Sequence, residues 1–265
     1  MITAGIDSGS QNTKAVVLED GRIIGKAKSP TEFSAAKAAR MVYAAALSDA
    51  GVSADRVRAV WTTGTGRTMA DFADSGINEV SAAARGAHAA APGTGLVIDM
   101  GAESSRAVRL LEGGAIRNYE INDKCASGAG TFIESMARTL EIAIEEMGPC
   151  SLRHTKDVPM NAQCVVFAES EVISLIHRRE KIEDIAYAIH VGIANRVSSL
   201  VRRVGVTDNI MLIGGSAYNA GLVVCLSNEL GKPVSVPENA EYISALGAAA
   251  RAAEKSARQE TGAIA

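Results

Sequence analysis

The sequence predicts an α/β protein made of two similar halves that face each other across a cleft. Three observations carry that expectation. Residues 6–24, IDSGSQNTKAVVLEDGRII, align without a gap on residues 98–116, IDMGAESSRAVRLLEGGAI. Each copy reads as strand, tight glycine turn, strand, second turn and third strand, and each is followed by helices and a further strand. Turn-forming residues, APGTG at 91–95, separate the two stretches. Eight of the nineteen aligned positions are identical: Ile6/Ile98, Asp7/Asp99, Gly9/Gly101, Ala15/Ala107, Val16/Val108, Leu18/Leu110, Gly21/Gly113 and Ile24/Ile116. Thr13/Ser105 and Lys14/Arg106 are near matches. Coincidence between two ordinary hairpins is the poorer account, and repetition is settled before local motifs are read.

The elements follow in order. In the first half the hairpin turns at Asp20-Gly21, a helix spans about 34–50, a strand covers RVRAVWTTG, and a helix runs over 79–91. In the second half the turn falls at Glu112-Gly113-Gly114 and a helix spans 128–142. A loop then holds Pro149 and Pro159, a short strand covers 164–167, and helices follow near 169–179 and 182–203. A strand over NIMLIGG, a helix over 217–230 and a last helix over about 240–257 with a frayed tail complete the chain. The expected lobes are residues 1–93, joined by the returning C-terminal helix at about 240–265, and residues 94–239.

Composition excludes several classes. The 265 residues are 47% hydrophobic, enough for a large core. A net charge of −3 leaves no footprint for nucleic acid or an anionic membrane. No apolar run reaches the ~18 residues of a membrane span, and the start MITAGIDSGS lacks the regions of a signal peptide. Four irregularly spaced cysteines do not form a secreted disulfide framework. The expectation is a cytoplasmic protein with reduced thiols.

Three glycine-rich elements suggest a nucleotide. The turn Asp7-Ser8-Gly9-Ser10-Gln11-Asn12-Thr13-Lys14 offers small residues, hydroxyls and backbone N–H groups for a phosphate, and a carboxylate that can hold Mg²⁺ through water. Asp99-Met100-Gly101 repeats it, so that two hairpins would clamp one nucleotide. LIGGSAYNAG at 212–221 closes a buried strand and opens a helix, where backbone and nucleotide could approach closely. Alone, an Asp-x-Gly turn is an ordinary hairpin turn and Gly214-Gly215 an ordinary strand-to-helix turn. No GxxxxGK[ST] or GxSxG is present. TTGTGR at 62–67 is a further loop of the same kind.

In this order the three elements resemble the two phosphate loops and the adenosine loop of the actin, hexokinase and heat-shock-protein ATPases, with ribonuclease H-like halves. The resemblance implies ATP binding. Within that superfamily, NDKCASGAGTF and CVVFAESEV resemble the signature segments of the BadF/BadG/BcrA/BcrD-type ATPases. These are the ATPase subunits of benzoyl-CoA reductases and the activators of 2-hydroxyacyl-CoA dehydratases. The resemblance runs from Ile6 to Gly247. It implies one 4Fe–4S cluster bridging two subunits, with Cys125 and Cys164 as this chain's ligands. Two lone cysteines per chain accord with that, since such a cluster takes four thiolates. Each cysteine is expected just ahead of a helix, whose N–H groups and positive terminal charge would favour added electrons. Cys150, in a loop, and Cys225, on the apolar face of a helix, are expected to be structural. His88, His154, His177 and His190 lack metal spacing. Glu169 and Glu171 either cap the helix start or contact the nucleotide, with capping preferred.

The resemblance further implies an ATP-hydrolysing electron relay. Asp7 and Asp99 are the expected catalytic residues, Asp7 placing Mg²⁺ and Asp99 positioning Mg²⁺ or the attacking water. Gly9, Ser10, Asn12, Thr13 and Lys14 would hold phosphate oxygens from one lobe, and Gly101 and Ser104 from the other. Gly214, Gly215 and Ser216 would approach the nucleotide. Glu103-Ser104-Ser105-Arg106 and Cys-Ala-Ser-Gly-Ala-Gly depart from the usual activator loops and look more like those of a benzoyl-CoA reductase ATPase. The expected partners are a homologous ATPase subunit, two larger substrate-binding subunits and a low-potential donor such as ferredoxin. The alternatives are a dehydratase activator, working as a homodimer, a small-molecule kinase of the same fold, and a non-catalytic nucleotide-binding regulator.

Overall fold

The computed structural model describes residues 1–122, 130–160 and 165–262. These form two compact units. The first holds Met1–Thr94, Leu111–Ile116 and the residues from Glu241 on; the second holds Gly95–Leu110 and Arg117–Ala240.

The first unit begins with β1 (Ile2–Ser8), β2 (Asn12–Glu19) and β3 (Arg22–Pro30), an antiparallel meander. Asp20 and Gly21, at φ 48° and 85°, form the two-residue loop that sets Glu19 opposite Arg22. Positive φ at both central residues matches the natural strand twist, which is why Asp-Gly is found there. α1 (Ala35–Ala50) starts where the Ser34 side chain accepts the Lys37 N–H and ends at Gly51 in the left-handed region. β4 (Ala59–Thr63) then lies parallel to β1, β5 (Ser75–Gly76) extends the edge, and α2 (Glu79–Ala90) follows. The sheet order is β3-β2-β1-β4-β5. Ile2, Ala4 and Ile6 of β1 share a core with Val42 and Ala46 of α1.

The second unit repeats the plan. β6 (Leu96–Met100), β7 (Ser105–Leu110) and β8 (Ile116–Asn122) are followed by α3 (Gly130–Thr139), α4 (Ile144–Ser151), α5 (Val165–His177) and α6 (Ile182–Val204). β9 (Ile210–Ile213), α7 (Ala220–Leu230) and β10 (Val234–Ser235) complete a sheet of order β10-β9-β6-β7-β8. β6 pairs antiparallel with β7 and parallel with β9, as β1 does with β2 and β4. The residue pairing also repeats: Asp7 lies opposite Lys14 and Asp99 opposite Arg106.

The last helix, α8 (Ile243–Gly262), packs in the first unit against the β1 face opposite α1. The Thr3 hydroxyl donates to the Ala249 carbonyl. A side chain at Gly5 would collide with the Ala245 carbonyl, so glycine lets helix and strand meet backbone to backbone.

Four local expectations fail. The expected strand at 164–167 is the start of α5 from Val165 onward. Ala168, Val172 and Leu175 are buried at helical spacing, and that packing overrides the strand preference of the preceding valines. Pro149 and Cys150 lie in α4 rather than a loop, because Met147 and Cys150 bury into the core there. Glu169 and Glu171 sit beyond the first turn of α5, too far along to cap it. α8 continues to Gly262. The two-residue strands β5 and β10 are too short to leave a pattern in the sequence.

Candidate functional site

β1 carries Asp7 to its C-terminal end, and Lys14, near the turn end of β2, lies directly opposite. The Lys14 ammonium donates to Asp7 Oδ2 over 3.3 Å, with both side chains 15% exposed. Gly9, Ser10 and Gln11 make the turn between them, and Ser10 is exposed. Asn12 is half-buried at the start of β2. The Thr31 hydroxyl donates to the Gly9 carbonyl over 2.7 Å. That uses its only hydrogen, so the 2.8 Å contact between Thr13 and Thr31 has Thr13 as donor. The fully buried Thr13 hydroxyl is therefore spent inside the protein, holding the turn.

The second loop has a tighter charge pair. Arg106 Nη1 donates to Asp99 Oδ2 over 3.0 Å, with side chains 8% and 9% exposed, and Nη2 donates to Ser104 Oγ over 3.0 Å. The Gly101 N–H closes the turn on the Ser104 carbonyl. Two carbonyls of this loop take up the first N–H groups of α3, Gly130 to Gly101 and Thr131 to Ala102, each over 2.9 Å. Those donors have no partner inside their own helix. A β-carbon at Gly130 would lie 3.0 Å from Ser216 Oγ, so the 212–221 segment meets the same corner. Gly214 and Ser216 are half-buried and Gly215 exposed, just ahead of the single 3₁₀ turn Gly215–Tyr218.

The structure extends the duplication beyond the aligned stretch. Gly64 follows β4 at φ +89° and Gly214 follows β9 at φ +92°. A side chain at Gly64 would strike the Ser8 carbonyl and come within 2.8 Å of Asp7 Oδ1. One at Gly214 would strike the Met100 carbonyl and come within 3.4 Å of Asp99 Oδ1. Each aspartate is thus backed by a glycine at a positive φ that residues with side chains rarely adopt. TTGTGR stands out in the sequence, but the equivalence of Gly64 and Gly214 does not, and neither do two buried hydroxyls. Ser8 Oγ and Thr63 Oγ1 have no hydrogen-bond partner among the described residues.

Cys125 and Cys164 lie outside the described residues. Among the described residues no group of three or more His, Cys, Asp or Glu side chains gathers to hold a metal. Cys150 and Cys225 are free and buried in the second unit's core. Burial raises both thiols, Cys225 to about 11. His190 is wholly buried, facing the Ala186 carbonyl and Asn219 Oδ1, a packing role. No described helix is long and apolar enough to cross a membrane.

A repeated α/β unit that sets an aspartate beneath a glycine turn at the end of each central strand is the arrangement of the actin/hexokinase-like ATPases. The chain belongs to the BadF/BadG/BcrA/BcrD ATPase family, which it matches over residues 4–252. It is 36% identical to the 2-hydroxyisocaproyl-CoA dehydratase activator of Clostridioides difficile over 94% of both chains. It is 34% identical to one subunit of the benzoyl-CoA reductase of Thauera aromatica over 94% of this chain and 92% of the relative. The structure of the activator of the 2-hydroxyisocaproyl-CoA dehydratase from Clostridium difficile with bound ADPNP superposes with a TM-score of 0.93, at 35% identity, covering 99% of this chain and 98% of that one. Family membership supports ATP binding and an ATP-dependent enzyme component.

Proposed function

We propose that the chain is the ATP-hydrolysing, electron-delivering activator of a 2-hydroxyacyl-CoA dehydratase. One observation carries the coupling: the Gly101 and Ala102 carbonyls of the second phosphate loop accept the first N–H groups of α3. α3 opens directly after the segment that bears Cys125. A change at the phosphate loop therefore acts on the start of α3, the helix that follows that segment in the chain. Likeness to the activator in both sequence and structure supports this substrate class over an aromatic CoA ester. A benzoyl-CoA reductase ATPase is the second reading, favoured by Glu103-Ser104-Ser105-Arg106 in the second loop.

The residues fit a magnesium nucleotide. Asp7 is partly exposed at a strand end, beside a glycine turn and a lysine, where a carboxylate can hold a hydrated cation. Asp7 would place Mg²⁺, while Gly9, Ser10, Asn12 and Lys14 hold phosphate oxygens and Thr13 keeps the turn in shape. Gly101 and Ser104 serve phosphate from the second unit, Asp99 orients that loop, and Gly214, Gly215 and Ser216 approach the nucleotide. Such sites act by positioning and electrostatics.

The thiol inventory fits half a 4Fe–4S cluster. Cys150 and Cys225 are withdrawn by burial, which leaves Cys125 and Cys164 as this chain's donors. When bound, such a cluster supplies a one-electron couple. The other two thiolates come from a second copy or a homologous subunit. Larger substrate-binding subunits accept the electron, a donor such as ferredoxin supplies it, and all of them work in the cytoplasm.

The test is anaerobic purification of the chain alone and with a homologous subunit, followed by iron, sulfide, mass and ATP-turnover assays. The proposal expects a homodimer with about four iron per two chains, lost in Cys125→Ser and in Cys164→Ser, and ATP turnover lost in Asp7→Ala. A chain that gains iron only with an unequal partner transfers the assignment to the reductase. Full iron retention in either cysteine variant sinks the cluster assignment.

A further inference from the structure

The duplication provides an internal comparison at the ends of β4 and β9. Thr63 pairs in register with Asp7, and Ile213 pairs in register with Asp99. Each is followed by a glycine of positive φ pressed against the residue after the aspartate. The two positions are equivalent in backbone and burial, at 0% and 1% exposure. Ile213 fills its place with hydrocarbon. Thr63 fills the same place but carries a hydroxyl with no hydrogen-bond partner among the described residues.

Burying an unpartnered hydroxyl costs stability that an isosteric valine would not, and valine also suits a strand better. A hydroxyl kept there has something to bind. Residues paired across neighbouring strands project from the same face of the sheet, so Lys14, Asp7 and Thr63 form one row. The glycine at 64 leaves open the space beside Asp7 Oδ1 that a β-carbon would fill. Of the other buried hydroxyls without a partner among the described residues, Ser198 and Thr207 lie in the second unit, and Ser8 alternates to the opposite face, towards Ala35 and Gly66, outside the row.

We propose that Thr63 is a positioning residue for the divalent cation of the nucleotide, an inference that rests on the nucleotide site proposed above. Mg²⁺ keeps several of its waters, and those waters point hydrogens outward. The Asp7 carboxylate accepts from one such water and Thr63 Oγ1 accepts from another. The metal duty then falls to the first copy, because Asp99 is held by Arg106 and its neighbour Ile213 has nothing to offer a water.

The experiment is calorimetric binding of a non-hydrolysable ATP analogue to the full, anaerobically purified protein, in Mg²⁺ and in EDTA. Thr63→Val should lose about tenfold in affinity in Mg²⁺, the worth of one hydrogen bond, and nothing in EDTA. Thr63→Ser should restore it, and Thr63→Val should melt no lower than the native protein. If Thr63→Val does not fold, Thr63→Ala is judged by the same ratio. Undiminished affinity in Mg²⁺, or an equal loss with and without metal, overturns the role of Thr63 and leaves the nucleotide site standing. A native protein that binds no analogue under either condition overturns the nucleotide reading, and this inference with it.

Discussion

Arg106 reaches Asp99 over 3.0 Å with both side chains nearly buried, at the register position where Lys14 meets Asp7 over 3.3 Å in more exposed surroundings. One charge pair has been inherited twice and has diverged. The buried guanidinium also holds Ser104, so the second loop is locked from within. Lys14 makes a longer contact, and its ammonium can turn to a ligand more easily.

Removing the two cations should therefore have unequal effects. Arg106→Ala leaves the Asp99 carboxylate buried without that partner and should lower the unfolding free energy by roughly 3 kcal/mol. Lys14→Ala should cost about 1 kcal/mol or less, because its pair is more open to water. Urea unfolding of the two variants decides it, and equal losses contradict the assignment of a locked and an open copy.

The glycines behind the aspartates should not tolerate a side chain. Gly64→Ala meets both an unfavourable φ of +89° and the Ser8 carbonyl, and should lose more than about 2 kcal/mol. Gly21→Ala, at φ +85° with nothing within 4 Å of the new carbon, should lose about 1 kcal/mol from backbone strain alone. Thermal melting of the pair separates crowding from strain, and equal shifts would count against close packing behind Asp7.

Asp184 predicts an acid-sensitive joint in the second unit. Its carboxylate accepts the backbone N–H groups of Thr155 over 2.6 Å and Lys156 over 3.1 Å, and the Thr155 bond foremost holds its pKa below the usual carboxylate value. A depressed folded pKa means the stabilisation is complete at neutral pH. It is lost as pH falls from the unfolded value, about 3.9, through the folded one. Asp184→Asn should be less stable near pH 6, and the gap should close towards pH 3. Urea midpoints across that range check it, and a constant gap would rule out the charge as the cause.

The two structural thiols should be silent. With the Cys225 thiol at about 11, only about one in a thousand is ionised at pH 8, and its burial blocks reagents as well. Iodoacetamide at pH 8 should modify Cys150 and Cys225 only after unfolding, as read by peptide mass. Rapid labelling of either in the native protein would contradict its structural role.

What the sequence by itself determined lies within short reach along the chain. The ungapped repeat makes Asp7 the equivalent of Asp99 and Lys14 that of Arg106, and within each hairpin a set turn leaves only one register, Asp7 opposite Lys14 and Asp99 opposite Arg106. The Asp20-Gly21 turn was readable for the same reason, being local chemistry. The tertiary structure decided whatever depends on distant segments meeting. It set Gly64 behind Asp7 and Gly214 behind Asp99, placed Thr63 beside Asp7, tied Gly101 to Gly130, and laid α8 against β1 at Gly5. It also turned the valines at the start of α5 into helix and carried Pro149 into α4, since burial against a core outweighs local preference. Spacing along a chain records turns and registers, whereas a buried hydroxyl acquires meaning only when its neighbours arrive from elsewhere.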